Sequence, residues 1–249
     1  MTLFLFEFMD HPWTPHVLRE TLLDVLEYCN RDFRPYYREI ADEISRIARE
    51  RELTTVVEFG AGYAPLTREL AAMDGNELTL IPCDLYPEPS PWDQLREEFG
   101  SCIRPVYEPV DATIRHDWPQ RTAVVLCATL HHIPPGIRRT ALEALHDSSD
   151  CVLVFEPVRK TPFSMFLVLF ALIPALLTPA FRMTRPGRLR RVLFCWLLPI
   201  VPLMFVWDGL ISCLRQWSNE EWANFTSSLP DRYRRPTVNS TPHSQSVIW

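Results

Sequence analysis

The chain has 249 residues, 25 basic against 31 acidic, for a formal charge of −6. That length buries one full core with room for an insertion, and the acidic balance excludes a general nucleic-acid binder, which carries a basic excess. Seven scattered cysteines with no Cys-x-x-Cys pair exclude a disulfide framework or structural zinc site and imply a reducing compartment.

Residues 1–50 read as a helical cap. The opening segment from Phe4 to Trp13 mixes aromatic rings with Glu7, Asp10 and His11 and carries no strong helix signal. Glu7 and Asp10 interrupt its apolar run and no basic region precedes it, so it is not a signal peptide. Thr14-Pro15 then starts a helix whose apolar face is Leu18, Leu22, Leu23, Val25 and Leu26. A second helix spans about Tyr36 to Arg51, with Ile40, Ile44 and Ile47 on one side.

A series of apolar runs ending in polar groups follows. Val56-Val57-Glu58-Phe59 leads into Gly60 and Gly62, a buried strand ending in a tight loop where missing Cβ atoms let backbone approach a ligand. The chain holds only seven glycines, so two at this spacing carry weight. The run over 78–83 ends at Asp84, about 20 residues beyond the glycines, where nucleotide-binding α/β folds keep a ribose carboxylate. Pro109-Val110-Asp111-Ala112 is a further apolar-to-acidic transition. The strand over 123–127 opens into Ala128-Thr129-Leu130-His131-His132-Ile133-Pro134, and the one over 151–155 stops at Glu156. This alternation describes a doubly wound α/β sheet with a ligand along its carboxyl edge.

Two uncharged runs come next, 161–181 and 192–207, separated by Arg182, Arg185, Arg188, Arg190 and Arg191. The first run is long enough to cross a bilayer and the second, broken by Pro199 and Pro202, is marginal. A spanning hairpin would put the arginine loop outside, against the positive-inside tendency. The remaining placements are a membrane-surface element with all five arginines at lipid headgroups, or an apolar lid or dimer surface. Asp208, Ser212 and Arg215 then share one helical face. Ser218 to Glu221 forms a capping box, and residues 234–249 form a closing hairpin turning at 241–244.

Over residues 51–160 and again near 207–249 this series resembles the class I S-adenosylmethionine-dependent methyltransferases. Glu58, Gly60, Gly62 and Ala64 look like that family's first motif, with alanine in place of the third glycine. A nicotinamide-binding Rossmann protein fits less well, because its third glycine position falls on Pro65. The resemblance implies a Rossmann-like, seven-stranded, doubly wound sheet. The cap is then 1–50, the core 51–160 with 208–249, and the apolar helical insertion 161–207. It implies S-adenosylmethionine held by Glu58, Gly60, Ala61, Gly62, Asp84, Leu85, Asp111, Ala112 and Thr129. Asp84 would take the ribose hydroxyls, and Asp111 with Ala112 the adenine amino group. The loop after the fourth strand faces substrate in this family, making His131 and His132 candidate bases, with Glu156 behind them. N-terminal segments of the family fold over the pocket, so Phe6, Glu7, Asp10, Trp13, Asp208 and Arg215 are candidate substrate contacts. No metal site is expected. The implied activity is methyl transfer to a small apolar or lipid-like acceptor, in the cytoplasm or at its membrane face, with a homodimer left open. The alternative is a non-catalytic module anchored through 161–207.

Overall fold

The computed structural model describes residues 5–11, 13–75, 77–242 and 244–249. Phe4 and Pro12 of the opening segment and His243 of the terminal turn lie outside them. Helix α1 (His16–Glu27) turns through residues 28–33 into α2 (Tyr36–Glu50). Ile40, Ile44 and Ile47 recur at helical spacing on α2 and are buried against the sheet. Then β1 (Thr55–Phe59), α3 (Pro65–Ala71), β2 (Thr79–Cys83), α4 (Pro89–Phe99), β3 (Thr122–Cys127), α5 (Arg138–Asp147) and β4 (Cys151–Glu156) alternate. These strands pair in parallel in the order β2-β1-β3-β4. β1, β3 and β4 are buried at every residue, as strands covered on both faces must be.

The insertion holds α6 (Pro162–Phe170), α7 (Leu172–Phe181), α8 (Arg188–Val192) and α9 (Ile200–Arg215), the last running unbroken through position 208. Next is α10 (Asn219–Ser228), started by the capping box: Ser218 Oγ accepts from Glu221 N at 3.2 Å, and Glu221 accepts from Ser218 N at 2.7 Å. Finally β5 (Thr237–Ser240) and β6 (Gln245–Ile248) form an antiparallel hairpin, and β6 pairs antiparallel with β4.

Among the described residues the sheet has six strands where seven were expected. The strand expected near 109–112 is replaced by a single parallel bridge, Leu80 to Ile103. Arg104 N and Val106 N still donate to Leu80 O and Pro82 O at 2.8 and 3.1 Å. Pro105 and Pro109 lack the N–H a ladder needs, so pairing on this edge stops short.

The insertion is bound to the cap by a small core of its own, in which Leu22, Val25 and Tyr28 meet Ala175, Cys195, Val201 and Met204. The arginine segment is anchored there too. Arg182 pairs with Glu27 at 2.9 Å and Asp32 at 2.6 Å; Arg190 pairs with Glu20 and Asp24 at 2.7 and 3.0 Å. Arg191, buried, reaches Asp24 at 2.8 Å and the carbonyls of Arg182, Arg185 and Pro186. Arg182, Arg190 and Arg191 are therefore not at lipid headgroups; Arg185 and Arg188 remain exposed. The pairs of Arg182, Arg190 and Arg191 with Glu20, Asp24, Glu27 and Asp32 tie the segment to the cap. Residues Pro162–Phe181 nevertheless form a stretch long and apolar enough to cross a membrane.

Asp24→Asn should lower the unfolding free energy by about 3 kcal/mol, because Arg191 loses its buried counter-charge. The exposed Arg188→Gln should change it by less than about 0.5 kcal/mol. Urea unfolding of both variants measures the difference.

Candidate functional site

The carboxyl ends of β1 and β3 set the site. Glu58 is 3% exposed, and its Oε2 accepts from Thr67 N at 3.0 Å and Thr67 Oγ1 at 2.5 Å. Burial pushes its carboxyl up to about 7. Gly60 sits at φ +65°, and a Cβ there would lie 2.7 Å from the Thr129 side chain. Thr129 Oγ1 is itself fixed between the carbonyls of Phe59 and Cys127 at 3.1 and 2.9 Å. Gly62, at φ +51°, gives its N–H to Asp84 Oδ2 at 2.9 Å. Ala64 and Ala128 also take positive φ, 52° and 53°, a conformation that costs a Cβ-bearing residue about 1–2 kcal/mol. Strain of this kind collects where a loop is held in one shape for a ligand.

These loops border a cleft of about 670 Å³, within the size range of small-molecule sites. Glu58, Gly60, Ala61, Gly62, Asp84, Leu85, Asp111, Ala112 and Thr129, the residues named from sequence for the cofactor, all line it. Asp84 accepts from Gly62 N and from Tyr86 N at 2.8 Å, and burial raises its pKa. The Leu85 N–H acts on the same carboxylate, which offers about four acceptor sites in all. Asp111 accepts from Thr113 N at 2.8 Å. Sequence reasoning missed Leu23, Leu26, Tyr37, Tyr63 and Tyr86, which also line the cleft. The leucines belong to the α1 stripe, which reads as ordinary core and offers no separate signal.

Phe6, Glu7, Asp10 and Arg215 close one end of the cleft, while Trp13 and Asp208 do not line it. Trp13 is 59% exposed and packs on Phe6, Phe8 and His11. Asp208 lies beneath the segment, accepting from Phe8 N at 2.8 Å and Met9 N at 3.1 Å, and burial pushes its carboxyl up to about 7. Arg215 donates to Leu5 O at 2.6 and 3.0 Å, to Asp10 Oδ2 at 2.9 Å, and lies 3.3 Å from Glu7 Oε1. Ser212 Oγ donates to Glu7 Oε1 at 3.1 Å. The polar face of α9 is thus the anchor of an N-terminal strap.

The two histidines separate. His132 lines the cleft, with Nδ1 2.8 Å from Asp10 Oδ1 and 3.1 Å from Glu7 Oε2. Burial disfavours its charge, but the two carboxylates outweigh that and raise its pKa well above the usual value. The two carboxylates thus favour a proton on its ring. His131 lies behind it, ring centroids 4.2 Å apart, with Nδ1 2.7 Å from Glu156 Oε2. Gln216 Nε2 also donates to that oxygen at 2.7 Å. Burial opposes ionisation of Glu156, yet the His131 and Gln216 contacts prevail and lower its pKa. Neither His131 nor Glu156 lines the cleft. Although no metal-ligand spacing is visible in the sequence, folding brings one donor atom each from Glu7, His131 and His132 within 4.8 Å of one another.

No protein-family model matches the chain, and no curated protein matches its sequence. Its backbone does match solved structures. One is a putative O-methyltransferase from Nostoc punctiforme, 14% identical with a TM-score of 0.55, over 99% of this chain and 63% of that one. The chain thus spans under two thirds of that protein's length. A second is magnesium protoporphyrin IX methyltransferase from Synechocystis with bound S-adenosylhomocysteine, 14% identical, TM-score 0.51, over 89% and 86% of the chains. A third is the plantazolicin methyltransferase with S-adenosylhomocysteine, 6% identical, TM-score 0.51, over 93% and 96%. The chain has the class I methyltransferase fold. In that fold the cleft described above occupies the carboxyl edge of the sheet, the edge where open α/β sheets take their ligands.

Glu58 has a measurable signature. Its carboxyl titrates near 7 folded against 4.5 in its unperturbed state, so the folded protein binds the extra proton between those values. Its contribution therefore favours folding below the lower pKa and is lost as pH rises through the upper one. Glu58→Gln should remove on the order of 3 kcal/mol of pH-dependent destabilisation between acid and neutral pH. Urea unfolding of both proteins across that range, without ligand, gives the difference.

Proposed function

We propose that the protein is an S-adenosylmethionine-dependent methyltransferase acting on a small, apolar or lipid-like acceptor. The observation that carries this reading is the convergence of Glu58, Asp84 and Asp111 on one cleft beside the Gly60 turn. S-adenosylmethionine, when bound, supplies a methyl group activated by its sulfonium. The chain's residues then bind, orient and exclude water. Asp84 has lone pairs left for the ribose hydroxyls, Asp111 and Ala112 take the adenine edge, and Leu85 offers an apolar wall. Glu58, whose charge burial disfavours, would ionise more fully beside the cofactor's ammonium group. Orientation of donor and acceptor can contribute about 7–11 kcal/mol, so a strong base is not a requirement. His132 faces the acceptor with its Nδ1 proton held by Glu7 and Asp10, and His131 with Glu156 sets the ring from behind.

Calorimetric titration with S-adenosylhomocysteine tests the cofactor. Binding is expected, and Asp84→Ala should weaken it by about 1–3 kcal/mol through loss of a charged hydrogen-bond partner. No binding by the native chain, or equal binding by the variant, would refute the assignment. His132→Asn should leave that affinity nearly unchanged.

The acceptor class follows from residues 161–207, read as an attachment to the cap (1–50) and core (51–160, 208–249). Phe166, Phe170, Ile173, Leu197 and Leu203 are each more than half exposed. Trp207, on the same helix as Leu203, packs its ring 5.8 Å from Phe6 at the cleft. The apolar surface therefore adjoins the acceptor end. We propose that it rests on the cytoplasmic face of a membrane, with Arg185 and Arg188 near anionic headgroups at about 1 kcal/mol each. The protein should float with phosphatidylglycerol vesicles more than with phosphatidylcholine vesicles, and less in high salt. Leu197→Glu with Leu203→Glu should abolish flotation. A stable dimer that ignores vesicles would mean that a second copy covers this face.

A further inference from the structure

We infer that Glu7, His131 and His132, with Asp10, form a binding site for one divalent first-row transition-metal ion at the acceptor end of the cleft. One donor atom from each of the first three lies within 4.8 Å of the others. Asp10 Oδ1 is 2.8 Å from His132 Nδ1. Arg215 does not use up the carboxylates. It engages Glu7 Oε1 and Asp10 Oδ2, leaving Glu7 Oε2 and Asp10 Oδ1 directed at His132.

The second observation is the shell around His131. Its Nδ1 is committed to Glu156, which Gln216 holds in turn. A proton on Nδ1 leaves the Nε2 lone pair as a ligand, the carboxylate–histidine arrangement that orients metal-binding imidazoles. Glu156 Oε1 is buried with no hydrogen-bond partner among the described residues. Glu7 and Asp10 turn one carboxylate oxygen each to His132, and a divalent ion there would take the place of the proton that the ring shares with them. Mixed imidazole and carboxylate donors favour Zn²⁺, Co²⁺ or Mn²⁺ over Mg²⁺ and Ca²⁺, which prefer oxygen alone. His132 and Asp10 line the cleft, so an open coordination position would face the acceptor. Such an ion would hold an acceptor oxygen and ease its deprotonation. That role rests on the function proposed above; binding of the ion does not.

The test uses the full chain dialysed against ZnCl₂ or CoCl₂ and then desalted. Elemental analysis should find about one ion per chain, and His132→Asn or Glu7→Gln should each weaken retention at least about tenfold. Glu156→Gln, which touches no ion, should weaken it about tenfold as well. Melting curves verify that each variant is folded. If one is not, zinc-edge anomalous scattering from native crystals decides: a peak between Glu7 and His132 supports the site. No retained ion, retention unchanged in folded variants, or a peak elsewhere would overturn it. So would a cobalt–thiolate charge-transfer band, which would assign the ion to cysteine.

Discussion

Arg215 grips Glu7 and Asp10 by one oxygen each and turns their other oxygens toward His132. Three distant parts of the chain meet in that contact: the N-terminal strap, the loop after β3 and the end of α9. Arg215 and Glu7 are almost wholly buried, so neither charge has water to fall back on. Removing one partner from such a set strands the other, at a cost of about 3–5 kcal/mol. The wall of the cleft therefore depends on α9 being in place. The apolar helices after β4 are a support of the site as well as a surface, which is why point changes on their outer face are cleaner probes than deletion.

The cleft combines rigidity with charge held at a cost. Gly60, Ala64 and Ala128 keep left-handed backbone at the ends of neighbouring strands, and Thr129 is pinned between two carbonyls. Such loops have few alternative shapes, so the cleft they border is held in one form. Glu58 and Asp84 carry raised pKa values because burial disfavours their charge, so a cation or hydroxyl donor placed beside them is favoured.

Much of this was legible in the sequence wherever the signal is local. Alternating apolar runs and their polar ends marked β1 to β4; the isoleucine stripe marked α2; Ser218 and Glu221 marked the start of α10. The missing strand was misread because Val110-Asp111 repeats the pattern of the true strand ends, while Pro105 and Pro109 deny that edge its donors. Long-range charge was illegible. Nothing local separates Arg182, Arg190 and Arg191, which pair with α1, from Arg185 and Arg188, which stay exposed. Likewise Phe6 faces the cleft and Trp13 does not, a matter of how the strap lies on Asp208. The Glu7, His131 and His132 cluster joins the N-terminal strap to the loop after β3, beyond the reach of any spacing rule.

The N-terminal strap is a wall of the cleft, fixed by α9. Amide hydrogen exchange of residues 5–11, with and without S-adenosylhomocysteine, tests it most directly. The Phe8 and Met9 amides, bonded to Asp208, should exchange slowly in the free protein and more slowly still when ligand is bound. Rapid exchange at both amides, unchanged by a ligand that demonstrably binds, would contradict it.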